Sequence, residues 1–480
     1  MDKYYDIVIV GAGPAGLFCG HQLCNNTKAR ILIVDKGREL KERHCAVNQK
    51  EKCADCNPCN IISGIGGSGF CLDAKLCLSE NVGEILQKHT PDCGFDSNMV
   101  RFIDNFLLDD GTIKPIFKKN LKELRKSLQK FGLNLENYPV RSFLQGKEKI
   151  EDILSLLLQN SVDVLDQTEA TNISKNSMGE FDITIKNNGT YQKVISKFLV
   201  IAPGKSGVKW LLEQSNLIGL NKEKNPLYVG IRIEVKNHIV KKLTSISHNP
   251  KVVKYGKNSY LKTHCFCEGG NVIKCKYEDI FLVDGHPKFD ERLENTNFTI
   301  FTKLVPPKDF NSTFVFANKI LSNFINRNNK NVLLQRLGDL KRRISTTENV
   351  IETNLVKPTL EDYDLRDINK YLPAEVIDPC LSFLEDLNKI CPGINDDSTL
   401  VYAPVIEWWG DRILANKHME TNIENLYVIG DGSGLTQGII AASATGLIAS
   451  NSIINKLPQN QLQLQNQKNL ILKAPLNRLH

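Results

Sequence analysis

Apolar and polar positions follow two textures along this chain. At its start, Tyr5 to Val10 is a short apolar run, and Pro14 to about Asn25 reads as a helix with proline in its first turn, where the missing N–H is harmless. Ile31 to Val34 is a second apolar strand. Leu121, Leu124 and Leu128 repeat at helical spacing in a basic stretch, Phe117 to Phe131, and predict an amphipathic surface helix. Glu148 to Gln159 is a further helix, leading into a strand at Val162 to Leu165. The runs Thr168 to Ser174, Glu180 to Lys186 and Tyr191 to Ser196 are separated by Met178-Gly179 and by Asn187-Asn188-Gly189, a hairpin signal, and predict a β-meander. Phe198 to Ala202 follows as a buried strand.

From about Pro226 to Leu400 the texture is mixed. Strands such as Tyr228 to Val235 and Phe298 to Leu304 precede helices near Ala317 to Asn326 and Pro379 to Leu387. The opening texture then returns, with a strand at Asn425 to Ile429 and a small-residue helix from Gly438 to Ile454. The predicted fold is α/β: a Rossmann-type dinucleotide-binding domain split along the sequence and carrying the β-meander, plus an inserted α+β substrate domain. The split domain takes residues 1–75, including a Cys-rich loop over 45–71, then 140–225 and 401–456. A helical insertion covers 76–139, the substrate domain covers 226–400, and 457–480 is a Gln/Asn-rich tail expected to be disordered or loosely docked.

Three segments carry the nucleotide chemistry. Ile7 to Val10 runs into Gly11-Ala12-Gly13-Pro14-Ala15-Gly16, where Gly11 permits a tight turn, Gly13 lets the backbone approach a pyrophosphate and Gly16 lets helix and strand pack closely. Asp35 stands nineteen residues after Gly16, the distance expected of an acid that binds ribose hydroxyls, and Lys36 adjoins it. The second segment, Gly430-Asp431 through Gly438-Ile439, resembles the end of flavoproteins in which the Asp meets the ribityl chain and the following helix points its N-terminus at the flavin ring. The third, Phe198 to Gly204, resembles the strand and turn that closes a flavin domain, with Ala202 and Gly204 beside the cofactor and Pro203 where Thr is commoner. Together they imply non-covalently bound FAD. Gly64 to Gly69 also matches the dinucleotide pattern but lacks a preceding strand and a following acid. It is expected instead to bring the backbone of Gly66, Gly67, Ser68 and Gly69 up to the FAD.

The 14 cysteines change the picture in two places. Cys45, Cys53, Cys56 and Cys59 have spacing compatible with an iron–sulfur cluster, a zinc site, redox thiols or plain packing. His264, Cys265 and Cys267 lie on one predicted strand and are the candidate catalytic residues, with simple strand packing as the alternative. Arg232 is expected to pair with Glu234 on the polar face of its strand. Trp408-Trp409 could cover a planar substrate or pack in a core.

Composition narrows the classes. The net charge of +7 is dispersed among acidic residues, which argues against a nucleic-acid stripe. No signal peptide or membrane-length apolar segment is legible, so a cytoplasmic protein with reduced thiols is expected. Its partners would be a small-molecule substrate and an electron donor or acceptor, with neither a membrane nor nucleic acid.

The chain resembles a poorly characterised family of bacterial FAD-dependent dehydrogenases, NAD(P)/FAD-dependent oxidoreductases of the glutathione-reductase-like superfamily. The resemblance rests on the Cys-rich segment leading into Asn60 to Gly69, Thr263 to Cys267 with Gly269-Gly270, the Asn297-Phe298 pair and the end from Asn425 to Gly446. It covers most of the chain apart from the tail. Leu72 and Ala74 depart from the Ser and Gly usual in such proteins. The resemblance implies FAD and an oxidoreductase of the dehydrogenase or reductase type, with no established substrate. A flavin monooxygenase and a tRNA-modifying flavoprotein are the rival readings. Asp284-Gly285-His286-Pro287 does not continue as a hydroxylase motif does.

Overall fold

The computed structural model describes residues 3–46, 53–71, 74–82, 85–107, 118–143, 146–160, 162–247, 249–257, 259–278, 280–287, 292–327, 331–407 and 410–462. Trp408 and Trp409, Leu72, and the tail beyond 462 lie outside the described residues. Two large sheets organise the rest, in a mixed α/β architecture.

The first sheet has a parallel part in the order Asp163–Leu165, Ile31–Val34, Lys3–Val10, Thr190–Ile201, Leu426–Val428. Its strands come from stretches far apart in the chain. The opening strand is buried from Ile7 to Val10, because helices cover one face and the meander side covers the other. Helix Pro14–Asn26 packs along helix Ile439–Lys456, and helix Ser97–Leu107 lies against the latter. The contact between the first two is close because Gly446 faces the backbone of Ala15, where a Cβ would come within 2.2 Å of its oxygen.

The meander strands Thr168–Lys175 and Phe181–Asn187 extend this sheet antiparallel. Tyr191 to Ser196 and Phe198 to Ala202, predicted as separate strands, form one, Thr190–Ile201. Its first part pairs with the hairpin, while its later part runs parallel to both the opening strand and Leu426–Val428. The register that serves both halves keeps Lys197 outside while Ser196 and Phe198 are buried.

The second sheet has eight strands, in the order Asp364–Leu365, Leu333–Arg336, Leu400–Glu407, Leu227–Lys236, Asn295–Leu304, Tyr260–Glu268, Lys251–Tyr255, Asn134–Glu136. The hairpin Asn271–Tyr277 and Ile280–His286 packs on it. Two segments thus sit apart from the boundaries read off the sequence. Leu400–Glu407 belongs to this second sheet, and helix Lys118–Gln129 with strand Asn134–Glu136 adds Leu124, Leu128, Leu133 and Leu135 to its core. Spatial neighbours, not chain order, decide these memberships. Helix Ala374–Asn388 starts before Pro379 and carries that proline inside it. Among the described residues no helix is long and apolar enough to cross a membrane.

Candidate functional site

The two sheets meet at a cavity of about 410 Å³. Its lining runs from Gly11, Gly13, Asp35 and Thr168 on the first sheet to His264, Cys265, Tyr277 and Asp284 on the second.

The first-sheet end is built from backbone. Gly11 has φ +106, and a Cβ there would lie 2.1 Å from the Ala202 oxygen; one on Gly16 would lie 1.9 Å from the Gly11 oxygen. Gly13 is different. Its backbone is extended, and a Cβ there would meet only the Gly67 Cα, at 3.8 Å. A methyl group at Gly13 is tolerated by the protein itself, so the absence of a side chain there suits the close approach of a ligand. Gly204 and Gly438, also on the cavity wall, have nothing within 4 Å of a built Cβ, but their φ of +59 and +87 favours glycine for the backbone alone. Ala12 N–H donates to Asp35 Oδ2 at 2.9 Å and Gly37 N–H to Asp35 Oδ1 at 2.8 Å, so the acid braces the turn that it faces. Burial raises the Asp35 carboxyl above its ordinary range, against the pull of those two N–H groups and of Arg43 and Lys36. Lys36 itself donates to the Ser206 carbonyl at 2.9 Å.

Gly64 to Gly69 lies against this turn. Gly66 N–H donates to the Ala12 carbonyl at 2.8 Å, and Gly67, Ser68 and Gly69 line the cavity. The segment is held by Arg43, which sequence reading missed. Its buried guanidinium donates to the carbonyls of Asn60, Ile61, Ile65 and Gly67 at 2.8–2.9 Å. One arginine so far upstream carries no pattern of its own.

Two helices of 13 and 18 residues begin on the cavity wall, at Pro14 and at Ile439. Neither has a side-chain cap, so unpaired N–H groups and the positive ends of both helix dipoles face the cleft. Asp431 accepts from Thr436 Oγ1 at 2.8 Å and from Gly438 N–H at 3.2 Å, setting the entry of the second helix. Burial raises its carboxyl, with Lys205, Gly438 and Thr436 opposing. Ala15, Ala202, Gly430 and Ile439 complete this wall.

The second-sheet end is built from side chains. Between His264, paired with Thr299, and Cys267, paired with Asn297, two residues of one strand oppose one of the other. Cys265 takes φ +51 in this bulge. Three backbone groups of the bulge find side-chain partners. Arg232 Nη2 donates to the Cys265 carbonyl at 3.2 Å, Phe266 N–H donates to Asn249 Oδ1 at 3.2 Å, and Lys75 Nζ donates to the Phe266 carbonyl. Asn297 accepts from Arg232 Nε at 2.8 Å and donates to Gly270 O at 2.9 Å, while the Phe298 ring stacks on Phe266 at 4.4 Å. The scattered motifs Thr263 to Cys267, Gly269-Gly270 and Asn297-Phe298 therefore converge on one bulge. Arg232 does not pair with Glu234. It is fully buried and reaches Asp284, Thr299 and Cys267, whereas Glu234 bonds Tyr402, Asn295 and Thr359. Alternation told which face each residue shared, but not that the other sheet elements bury that face.

Cys265 lines the cavity and Cys267 is fully buried behind it, with 3.9 Å between the sulfurs. Lys75 Nζ and Arg232 Nη2 lie 3.9 and 3.6 Å from the Cys267 sulfur. The hydrogen bond from Cys267 lowers the Cys265 thiol to about 6, while the same bond and burial hold Cys267 protonated. His264 also lines the cavity. Burial pushes its imidazole well below the ordinary value, against Glu407, whose Oε1 is 3.4 Å from Nε2. Glu407 itself would be raised by burial, but the neighbouring His264 ring and the charges of Lys262 and Lys205 hold it at about 2. Lys262 Nζ lies 2.7 Å from Glu407 Oε2, though burial draws that ammonium downward. Lys251 is buried and lines the cavity, and among the described residues its Nζ is placed over the Tyr138 ring, at 4.9 Å.

The four cysteines proposed as metal ligands do not form a centre. Among the described residues no group of three or more His, Cys, Asp or Glu is placed to hold a metal ion. The loop is anchored at two points: Cys53 N–H donates to Asp362 at 3.0 Å, and Asp55 pairs with Lys276 at 2.5 Å. Cys53 then packs beside the Val272 cluster, Cys45 and Cys59 beside Ile61 and Ile273, and Cys56 lines a separate surface opening.

No family model matches the chain. An uncharacterised protein of Clostridium beijerinckii is 23% identical over 479 residues, 94% of this chain and 80% of that one. Among solved structures, a geranylgeranyl bacteriochlorophyll reductase-like protein of Thermoplasma acidophilum aligns with 95% of this chain and 79% of its own at 12% identity and a TM-score of 0.40. A mutant of E. coli quinol fumarate reductase FrdA aligns with 95% and 71% at 13% and 0.39. A flavoprotein/dehydrogenase from Cytophaga hutchinsonii aligns with 95% and 78% at 8% and 0.36. At TM-scores this low the likenesses lend no weight to an assignment, and the residues of this chain must carry it.

Proposed function

We propose that the chain is an FAD-dependent oxidoreductase of the dehydrogenase or reductase type. The observation that carries the reading is the meeting of two uncapped helix N-termini on one cleft whose wall, at Gly13, leaves open the space a Cβ would take. The first sheet is then a Rossmann-type FAD domain assembled from separated stretches, and the second sheet belongs to an inserted substrate domain. The Gly11 to Gly16 turn and helix Pro14–Asn26 would hold the pyrophosphate, Asp35 the adenosine ribose, Gly66 to Gly69 the flank of the cofactor, and Asp431 the ribityl chain. The N-terminus of helix Ile439–Lys456 would face the flavin ring, where a helix end stabilises negative charge by about 0.3–1 kcal/mol. Bound FAD supplies two-electron exchange. A small-molecule substrate would enter at the second-sheet end, where Lys75 and Lys251 receive an anionic group.

Gly13→Ala tests the assignment. It adds a methyl to a position with extended backbone and no protein atom nearer than 3.8 Å. Its stability should match that of the parent within about 0.5 kcal/mol, while its flavin content after reconstitution with FAD falls sharply. A folded Gly13→Ala protein with a full complement of flavin, or a parent protein that takes up none, overturns the assignment.

A further inference from the structure

We infer that Cys265 and Cys267 are a redox dithiol that closes to a disulfide by giving its electron pair to the flavin, and that a thiol-bearing substrate reopens it at Cys265. The inference rests on the FAD reading above and names the substrate class of the same site. Three observations support it. The sulfurs are 3.9 Å apart, so one side-chain movement brings them to bonding distance. They are unequal in access: Cys265 faces the cavity and Cys267 is sealed behind it, which makes the first the sulfur a substrate thiol attacks and the second the sulfur that leaves. The backbone between them is held in a left-handed bulge by Arg232, Asn249 and Lys75, and the two cations, Arg232 and Lys75, also flank the Cys267 sulfur, where they favour its release as a thiolate when the disulfide is opened. A strand that only packed these side chains would need neither the bulge nor the buried cations.

Two thiols lose two electrons and two protons and form one S–S bond. Oxidised flavin takes the electron pair and becomes reduced flavin, with the protons taken up by it and by solvent. A substrate dithiol then attacks the Cys265 sulfur, the Cys265–Cys267 bond breaks, and a second substrate sulfur displaces Cys265 from the mixed disulfide. The substrate leaves as a disulfide and both protein thiols are restored.

The test uses the FAD-loaded protein without oxygen, with dithiothreitol as the probe dithiol. Bound flavin should be bleached by dithiothreitol in the parent, and the bleaching should be lost in Cys265→Ser and in Cys267→Ser at unchanged flavin content. Reductive titration of the diamide-oxidised parent should take up two more electrons per flavin than either variant. Peptide mapping after diamide should show a Cys265–Cys267 link. Flavin that is bound but not bleached, or is bleached equally in both variants, overturns the dithiol while leaving FAD binding intact. A protein that binds no flavin overturns the FAD reading and with it the transfer. The diamide map then shows separately whether the two sulfurs form a pair.

Discussion

At the first-sheet end of the cleft the groups offered to the interior are backbone N–H groups on glycine turns and helix starts, whereas at the second-sheet end they are side chains: the Cys265 sulfur, the His264 imidazole and the Lys75 and Lys251 ammonium groups. The first kind of wall is set by where a Cβ is forbidden, and it tolerates little change in the turn itself. The second is set by which charges are buried together, and depends on partners far apart in the chain. Arg232, Asn297 and Thr299 come from different strands than Cys265, and the site exists only when their ladders are in register.

The comparison can be broken most severely at the glycines. Gly16→Ala places a Cβ 1.9 Å from the Gly11 oxygen, so the helix and its turn must separate. A loss of about 3 kcal/mol or more is expected in denaturant unfolding, against almost none for Gly13→Ala three residues earlier. Equal losses at the two positions would mean that the turn is not shaped around a ligand. At the other end, Arg232→Met keeps the volume but strands Asn297, Thr299 and the Cys265 carbonyl. A loss on the order of 3 kcal/mol is expected, together with slower flavin bleaching by dithiothreitol as the bulge relaxes.

Glu407→Gln sharpens the same contrast through pH. The folded carboxyl titrates at about 2, below its ordinary 4.5, so its stabilisation is complete above about pH 4.5 and is lost as the pH falls to about 2. The variant should be weaker than the parent by about 2 kcal/mol near neutral pH, the cost of burying Lys262 being set against the gain. Urea midpoints of the two proteins should converge in acid. A gap independent of pH would assign Glu407 to packing rather than charge.

Much of the first-sheet end was legible because its signals are local. Gly11 to Gly16, Asp35 and Gly430 to Ile439 each hold their meaning within a few residues, and all of them line or brace the cavity. The Cys53 to Cys59 run misled for the same reason. Its spacing is a local pattern, but the loop that carries it is anchored by long-range contacts to Asp362 and Lys276. Helix Ser97–Leu107 went unseen although Val100, Ile103 and Leu107 share a face, because its apolar run is short and flanked by polar residues.

The sequence by itself determined the glycine turns, the apolar strands and the presence of two cysteines one residue apart, since steric freedom and hydrophobic period are properties of neighbouring residues. Only the tertiary structure decided that those cysteines stand at the cavity with unequal access, that Arg43 holds the second glycine segment, and that Arg232 is buried against the bulge. Each of these depends on the pairing of distant strands or loops, and the side chains involved carry no periodic signal along the chain.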